Sequence, residues 1–368
     1  MTPPVTPPVT PLARLIAQRI AVEGPMRLDD FMRLCLLHPA HGYYATRDPF
    51  GAQGDFTTAP EISQMFGELV GLALAQAWLD QGSPAPFTLA ELGPGRGTLM
   101  ADILRATGRV PGFRAAARVE LVEASAHLRG VQRARLGDVT HRDRAEGLPE
   151  VPLFLVANEF FDALPIRQFE RHPDGWRERM VSLREGALAL ALGPPGDAAR
   201  PGAPGEIREV CAEAIPVVAE VAGRIARHGG AAIVIDYGTW DGQGDSLQAL
   251  RRHAPDDILA HPGEADLTAH VDFAPLAGTA LAAGASASCP VPQGEWLLSL
   301  GLAQRAARLT AAGDAGAAAA MERLTAPAAM GQLFKAMAIY SRHSPPPPGF
   351  TALPAAALPA PAGLPAGR

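Results

Sequence analysis

Residues 87–108 read FTLAELGPGRGTLMADILRATG, and their order decides the fold. Phe87 to Leu92 is a mostly apolar run of the length of a buried strand. Gly93, Gly95 and Gly97 follow it, and from Thr98 onward apolar residues recur at helical spacing. Strand, glycine turn and helix form the first crossing of a nucleotide-type α/β fold. There the glycines let the backbone turn tightly and approach a ligand closely at a helix N-terminus. A bare β–α turn needs no such set of three glycines with an acid beside it.

Working outward, the pattern repeats. RVELVEAS gives a short strand over 118–123, followed by the helix-like SAHLRGVQRARL; LFLVANEF, from Leu153, is another strand. REVCAEAIPVVAEVAGRIARHGG, starting at Arg208, reads as one long helix stopped by Gly229-Gly230, and AAIVIDYG follows as an apolar strand. Strands that are nearly all apolar and alternate with helices indicate a parallel sheet covered on both faces. Residues 239–290 have poor periodicity and read as an insertion after the fifth strand, near the site. GEWLLSLGLAQRAARL is a helix and LFKAMAIYS a last strand, antiparallel at the edge. Before the glycine turn, LARLIAQRIAVEGP, LDDFMRLCLLHP and ISQMFGELVGLALAQAWLDQG are helical, with a Gly- and aromatic-rich loop ahead of the third. The expected domains are a disordered lead-in over 1–11, an N-terminal helical lobe over 12–82, the catalytic sheet domain over 83–343, and a Pro/Ala-rich tail over 344–368.

Composition narrows the function. The chain has 368 residues, 48% hydrophobic and 19% charged, with a net charge of −6. That balance is ordinary for a soluble globular protein and argues against nucleic-acid binding by phosphate neutralisation. Cys35, Cys211 and Cys289 lack paired spacing, so neither a disulfide framework nor a metal site is expected. Lys335 is the only lysine among 32 basic residues, and with the Ala, Gly and Pro usage this reads as the codon bias of a GC-rich bacterium. No stretch approaches the roughly 18 apolar residues of a membrane helix, and the start, MTPPVTPPVTPLARLIAQRI, lacks a secretory h-region. The expected compartment is the bacterial cytoplasm, although a start with two Arg and no acid is also compatible with a transit peptide.

The glycine spacing selects the ligand. A dinucleotide fingerprint is G-x-G-x-x-G, whereas here the third glycine comes one residue earlier; a P-loop needs a Lys that is absent. Glu91 would repel a pyrophosphate but suits a cation, and S-adenosylmethionine carries a sulfonium and an α-amino group. Glu123, at the end of the second strand, can take both ribose hydroxyls, as acids do in NAD binders too. Glu91, Gly93, Gly95, Gly97 and Glu123 are therefore the expected cofactor-binding residues.

ELGPGRGTL, VELVEAS and ANEFFDALP, in that order, resemble the class I S-adenosylmethionine-dependent methyltransferases, specifically the MidA-like family. HPAHGYY, GDFTTAPEISQMFGELVG, DLTAHVDF, QGEWLLSLG and MGQLFKAM extend the resemblance over about residues 12–342 and leave little room for a presequence. It implies a Rossmann-like sheet under an N-terminal helical lobe. The family includes a mitochondrial complex I assembly factor that methylates a protein arginine, so a protein acceptor, a respiratory-chain subunit among the candidates, is what the resemblance implies.

LFLVANEFFDALP occupies the loop that faces the methyl group in such enzymes. Glu159 and Asp162, three residues apart, can hold a planar guanidinium, and Asn158 can fix the geometry. Helix capping is the competing explanation for Asn158 and Asp162. Phe160 and Phe161 read as core more readily than as pocket wall. Asp55, Thr57, Thr58, Glu61 and Gln64 are candidates for a lid, against a capped helix start at Thr58. Asp236, Tyr237, His270 and Asp272 are candidates for the acceptor side. Three other readings remain open: an assembly factor that binds the cofactor without catalysis, a small-molecule methyltransferase, and a NAD-dependent oxidoreductase. Oligomeric state is not expressed in the sequence.

Overall fold

The computed structural model describes residues 10–46, 58–196 and 201–354. Its main sheet contains β1 (Phe87–Leu92), β2 (Ala117–Val122), β3 (Thr140–Arg142), β4 (Leu153–Asn158), β5 (Gly230–Thr239) and β6 (Phe334–Tyr340). In space they run β3-β2-β1-β4-β5-β6. β1 to β5 are parallel and β6 is antiparallel to β5. The order therefore reverses direction between β1 and β4, and the crevice at that switch point is where open α/β sheets bind ligands.

The strands are apolar because both faces are covered. β1 and β4 are buried throughout, and β5 in all but its last residue. One face packs under the helices Gln64–Asp80, Thr98–Thr107, Gln293–Ser299 and Leu302–Ala311, and the other under Ala214–His228 and Phe273–Ala282. Phe154 meets Phe87 edge-on at 5.3 Å in the first layer, and burying each such ring contributes about 2–3 kcal/mol.

Four expectations are corrected. The long helix expected from Arg208 begins only at Ala214, because Ile207–Val210 pairs as a strand with Arg167–His172. Gly301, at φ 95°, splits the expected helix 294–309 into Gln293–Ser299 and Leu302–Ala311. Ser63, in extended backbone, caps Gln64–Asp80 through Met65 N–H and separates it from the short helix Ala59–Ile62. The region 239–290 is not irregular: it holds a three-stranded sheet of Gln248–Arg251, Ala254–Asp256 and Asp266–Thr268, then the core helix Phe273–Ala282.

A second, antiparallel sheet joins Met26–Arg27, Gly175–Arg184, Arg167–His172 and Ile207–Val210, with Ala187–Pro195 added beside Gly175–Arg184. The segment 12–82 divides in its packing accordingly. Helices Pro11–Glu23 and Leu28–Leu37 share a core with this sheet and with Ala249, Ala265 and Leu267, while Gln64–Asp80 belongs to the main sheet. Past residue 343, Phe350 packs on Trp296 at 5.2 Å and is buried in the main-sheet core, and Leu353 N–H donates to Ala287 O, so this part of the tail is anchored to the domain.

Candidate active site

At the switch point Leu92 aligns with Val122 and Ala157, and Asn158 with Ile235. The residues that follow these strands therefore rise along one edge, around a cavity of about 1270 Å³.

The cofactor half of the cavity is built by the first two crossings. Gly93, Gly95 and Gly97 all take positive φ (61°, 50° and 75°), the left-handed region that side chains disfavour. Glu91 lies behind them, 3% exposed, with its Oε2 on no partner among the described residues. Burial, with a smaller push from Glu123, raises its carboxyl to about 8, against the Met100 N–H. Across the crevice, Glu123 Oε1 accepts Ser125 N–H at 2.7 Å and Oε2 accepts Gln132 Nε2 at 3.2 Å. Burial raises the Glu123 carboxyl as well. An unpartnered buried carboxylate oxygen, a left-handed glycine loop and a second carboxylate on the cavity wall fit S-adenosylmethionine. Glu91 and the loop would hold the charged amino-acid end, and Glu123 the ribose.

The acceptor half is organised by Asp236. Its Oδ2 accepts N–H bonds from Phe160, Phe161 and Asp162 at 3.0–3.3 Å, and its Oδ1 accepts Tyr237 N–H at 3.0 Å. Asp236 is fully buried and absent from the cavity wall, so it winds the turn after β4 instead of meeting an acceptor. Burial and the charges of Asp162 and Glu159 raise its carboxyl well above the ordinary range. That turn puts Glu159 at φ 50°, a strained value for a residue with a side chain.

Glu159 Oε1 accepts Ala59 N–H at 3.2 Å and Asn158 Nδ2 at 3.1 Å. Burial and the neighbouring Asp162 push its carboxyl up to about 8. Asp162 Oδ2 accepts the Tyr237 hydroxyl at 2.6 Å, while Asp162 Oδ1 and Asn158 Oδ1 are buried without partners among the described residues. Burial raises the Asp162 carboxyl, against the Tyr237 hydrogen bond. None of the side-chain bonds of Asn158 or Asp162 is a helix cap. Phe160 lies on the cavity wall, where a Cβ on Gly93 would meet its ring at 2.9 Å; Phe161 is core.

The other candidates divide. Tyr237, Thr58 and Glu61 line the cavity, and Thr98 Oγ1 donates to Glu61, joining the Ala59–Ile62 segment to the glycine-loop helix. Thr58 precedes that short helix without a side-chain cap. Gln64 points to solvent and does not line the cavity, because Ser63 rather than Gln64 turns the chain into the long helix. His270 stands edge-on behind Tyr237 at 5.5 Å, off the cavity wall, and burial holds its pKa down. Asp272 caps the helix Phe273–Ala282 through Ala274 N–H. Asp55 and Thr57 fall outside the described residues. The sequence reading missed Gln132, a buried amide that looks like an ordinary polar helix position until β3 is placed beside it.

The fold and site define a class I S-adenosylmethionine-dependent methyltransferase. The sequence pattern of the S-adenosyl-L-methionine-dependent methyltransferase family matches residues 69–291, and the chain belongs to this MidA-like family. It is 36% identical over 359 residues to the mitochondrial protein arginine methyltransferase NDUFAF7 of Danio rerio, covering 87% of this chain and 84% of that protein. The human counterpart is 35% identical over 323 residues, covering 78% and 73%. A Burkholderia thailandensis protein solved with S-adenosyl-homocysteine bound superposes with a TM-score of 0.80 at 30% identity, covering 92% and 93% of the two chains.

A pH dependence follows from Glu91. The free protein keeps the Glu91 proton up to about pH 8, and a bound cation favours the ionised form, so binding releases a proton. Calorimetry should show affinity for S-adenosylmethionine rising about tenfold from pH 6 to 7.5, and Glu91→Gln should flatten the rise. A flat wild-type profile would separate Glu91 from the cofactor.

Proposed function

We propose that the protein transfers the methyl group to a protein arginine, and that the acceptor is a subunit of a respiratory complex under assembly. One observation carries the acceptor chemistry. The atoms left open at the end of β4 are acceptors: Asp162 Oδ1 and Asn158 Oδ1 have no partners among the described residues, and Glu159 stands beside them. A guanidinium presents five N–H donors in a planar fork and no acceptor, the complement of such a wall. The cavity supports a protein acceptor as well. Beyond the cofactor half it continues to Arg33, Leu37 and Tyr44 and to the small sheet of 248–268, more room than one drug-sized ligand needs. The arginine-methyltransferase names of the relatives point the same way.

Bound S-adenosylmethionine supplies an electrophilic methyl group on sulfur. The chain's part is alignment, exclusion of water and management of one proton. Glu159 and Asp162 hold the guanidinium in plane and turn one nitrogen toward the crevice. Ala59 N–H and Asn158 Nδ2 fix Glu159 Oε1, and the Tyr237 hydroxyl fixes Asp162 Oδ2. Phe160 closes the wall between the two halves. The nitrogen that gains the methyl loses a proton, and Glu159, raised to about 8, is matched to take it. The bacterial cytoplasm remains the proposed location on composition alone.

The test uses methyl-labelled S-adenosylmethionine and lysate protein from a strain lacking this gene. After complete hydrolysis, label should appear in methylarginine. Label confined to lysine or to a small molecule would overturn the acceptor.

A further inference from the structure

Gln132 is the most constrained polar side chain in the cofactor half. It lies in the helix Ala126–Leu136, fully buried. Its Nε2 donates to Gly95 O at 2.7 Å and to Glu123 Oε2 at 3.2 Å, so one amide spans the loops after β1 and β2. Its Oε1 faces His141 Nε2 at 2.8 Å.

These contacts fix every proton. Gly95 O can only accept, so the amide nitrogen must face it, and both amide hydrogens are then used. Oε1 is left as an acceptor, so His141 Nε2 carries the imidazole proton. His141 Nδ1 is buried with no partner among the described residues, and burial, then the Arg133 and Arg129 charges, lower the pKa of the ring. β3 pairs with β2 and sets Leu121 against His141, so the imidazole is carried by the sheet itself.

Glu123 is held from three sides. Ser125 N–H binds Oε1, Gln132 binds Oε2, and Arg129 Nε donates to the Glu123 backbone carbonyl at 2.7 Å. Each carboxylate oxygen thus spends one lone pair on the protein and keeps another for the cavity that Glu123 lines. That is the form a vicinal diol requires: two acceptors, fixed in plane, at a set distance from the glycine loop.

We propose that Gln132, oriented by His141, is the positioning residue for recognition of the cofactor's ribose diol, locking Glu123 to the Gly95 loop. The role is independent of the methyl acceptor. It predicts a loss on substitution that depends on the ribose hydroxyls, which a packing role does not.

The test measures dissociation constants by calorimetry for S-adenosyl-homocysteine and for its 2′,3′-dideoxy analogue. The proteins are wild type, Gln132→Leu and His141→Ala, each checked by thermal unfolding. Gln132→Leu should weaken S-adenosyl-homocysteine about 20-fold, the scale of a hydrogen bond to a charged group, and the dideoxy analogue less than about threefold. His141→Ala, which leaves the amide present but unheld, should show the same selectivity at about threefold to fivefold. Equal losses for both ligands, or no loss, would overturn the proposal. Should Gln132→Leu fail to fold, the ligand selectivity of His141→Ala decides.

Discussion

Glu159→Gln should lower kcat/KM for methyl transfer about 1000-fold while leaving S-adenosyl-homocysteine affinity within about twofold. The substitution keeps an oxygen able to accept the Ala59 N–H and so keeps the shape of the turn. In the proposed reaction it removes the carboxyl that a bound guanidinium would draw into its ionised form and the group that would take the departing proton. Alignment and charge-assisted pairing together are worth about 4 kcal/mol of barrier. The comparison requires saturating cofactor and equal thermal stability in both proteins. A loss below about tenfold would move the chemistry off Glu159, with Asp162 the next candidate.

Asp236→Ala should be the most destabilising single change at the site. Four backbone N–H groups, of Phe160, Phe161, Asp162 and Tyr237, converge on its two oxygens in a fully buried place. Each orphaned donor costs about 1–3 kcal/mol, so the total reaches at least about 4 kcal/mol. The melting temperature should fall by at least about 5 °C, and Glu159 loses its position along with the turn. Asp236→Asn keeps one carbonyl oxygen where three of the N–H groups meet and should cost much less. Burial and the charges of Asp162 and Glu159 raise the Asp236 carboxyl, and the backbone N–H groups of Asp162 and Phe161 oppose them. A melting temperature within about 2 °C of wild type for Asp236→Ala would contradict this account.

The main sheet was legible because its signals are local. The FTLAEL run, the three glycines and the apolar runs at 153 and 231 each declare an element without knowledge of the rest. The antiparallel sheet was not read, although it left traces. Asp174-Gly175 and Glu185-Gly186 sit at its hairpin turns, with Glu185 and Gly186 at φ 53° and 82°, the pair of left-handed residues that joins antiparallel strands. The charged residues RQFERH and WRERM hid the alternation, because long arginines pair across that sheet, as Arg167 does with Glu178. Ile207–Val210 was lost to the helix after it for a non-local reason: only pairing with 167–172 makes it a strand.

At the site, residue types that follow strand ends were found, and residues that act through a partner were not. Glu91, Glu123, Asn158, Glu159 and Asp162 line the cavity. Asp236 and His270 lie next to it, because sequence gives the strand end but not the depth of the side chain. Gln132 has no signal at all in one dimension, since its three partners come from residues 95, 123 and 141.

The backbone of Glu159 stands at φ 50° in the turn wound on Asp236. Glycine and asparagine adopt that conformation at little cost, whereas glutamate brings strain and a carboxyl crowded by Asp162. At this position stability and activity thus pull in opposite directions. A laboratory screen for heat resistance alone would replace Glu159 with one of those residues and return a sturdier protein without the carboxyl proposed to hold the acceptor. Consensus or thermostability engineering of this fold should therefore exclude residue 159 from its library and look for gains elsewhere, such as the exposed Val22 and Leu15 of the first helix.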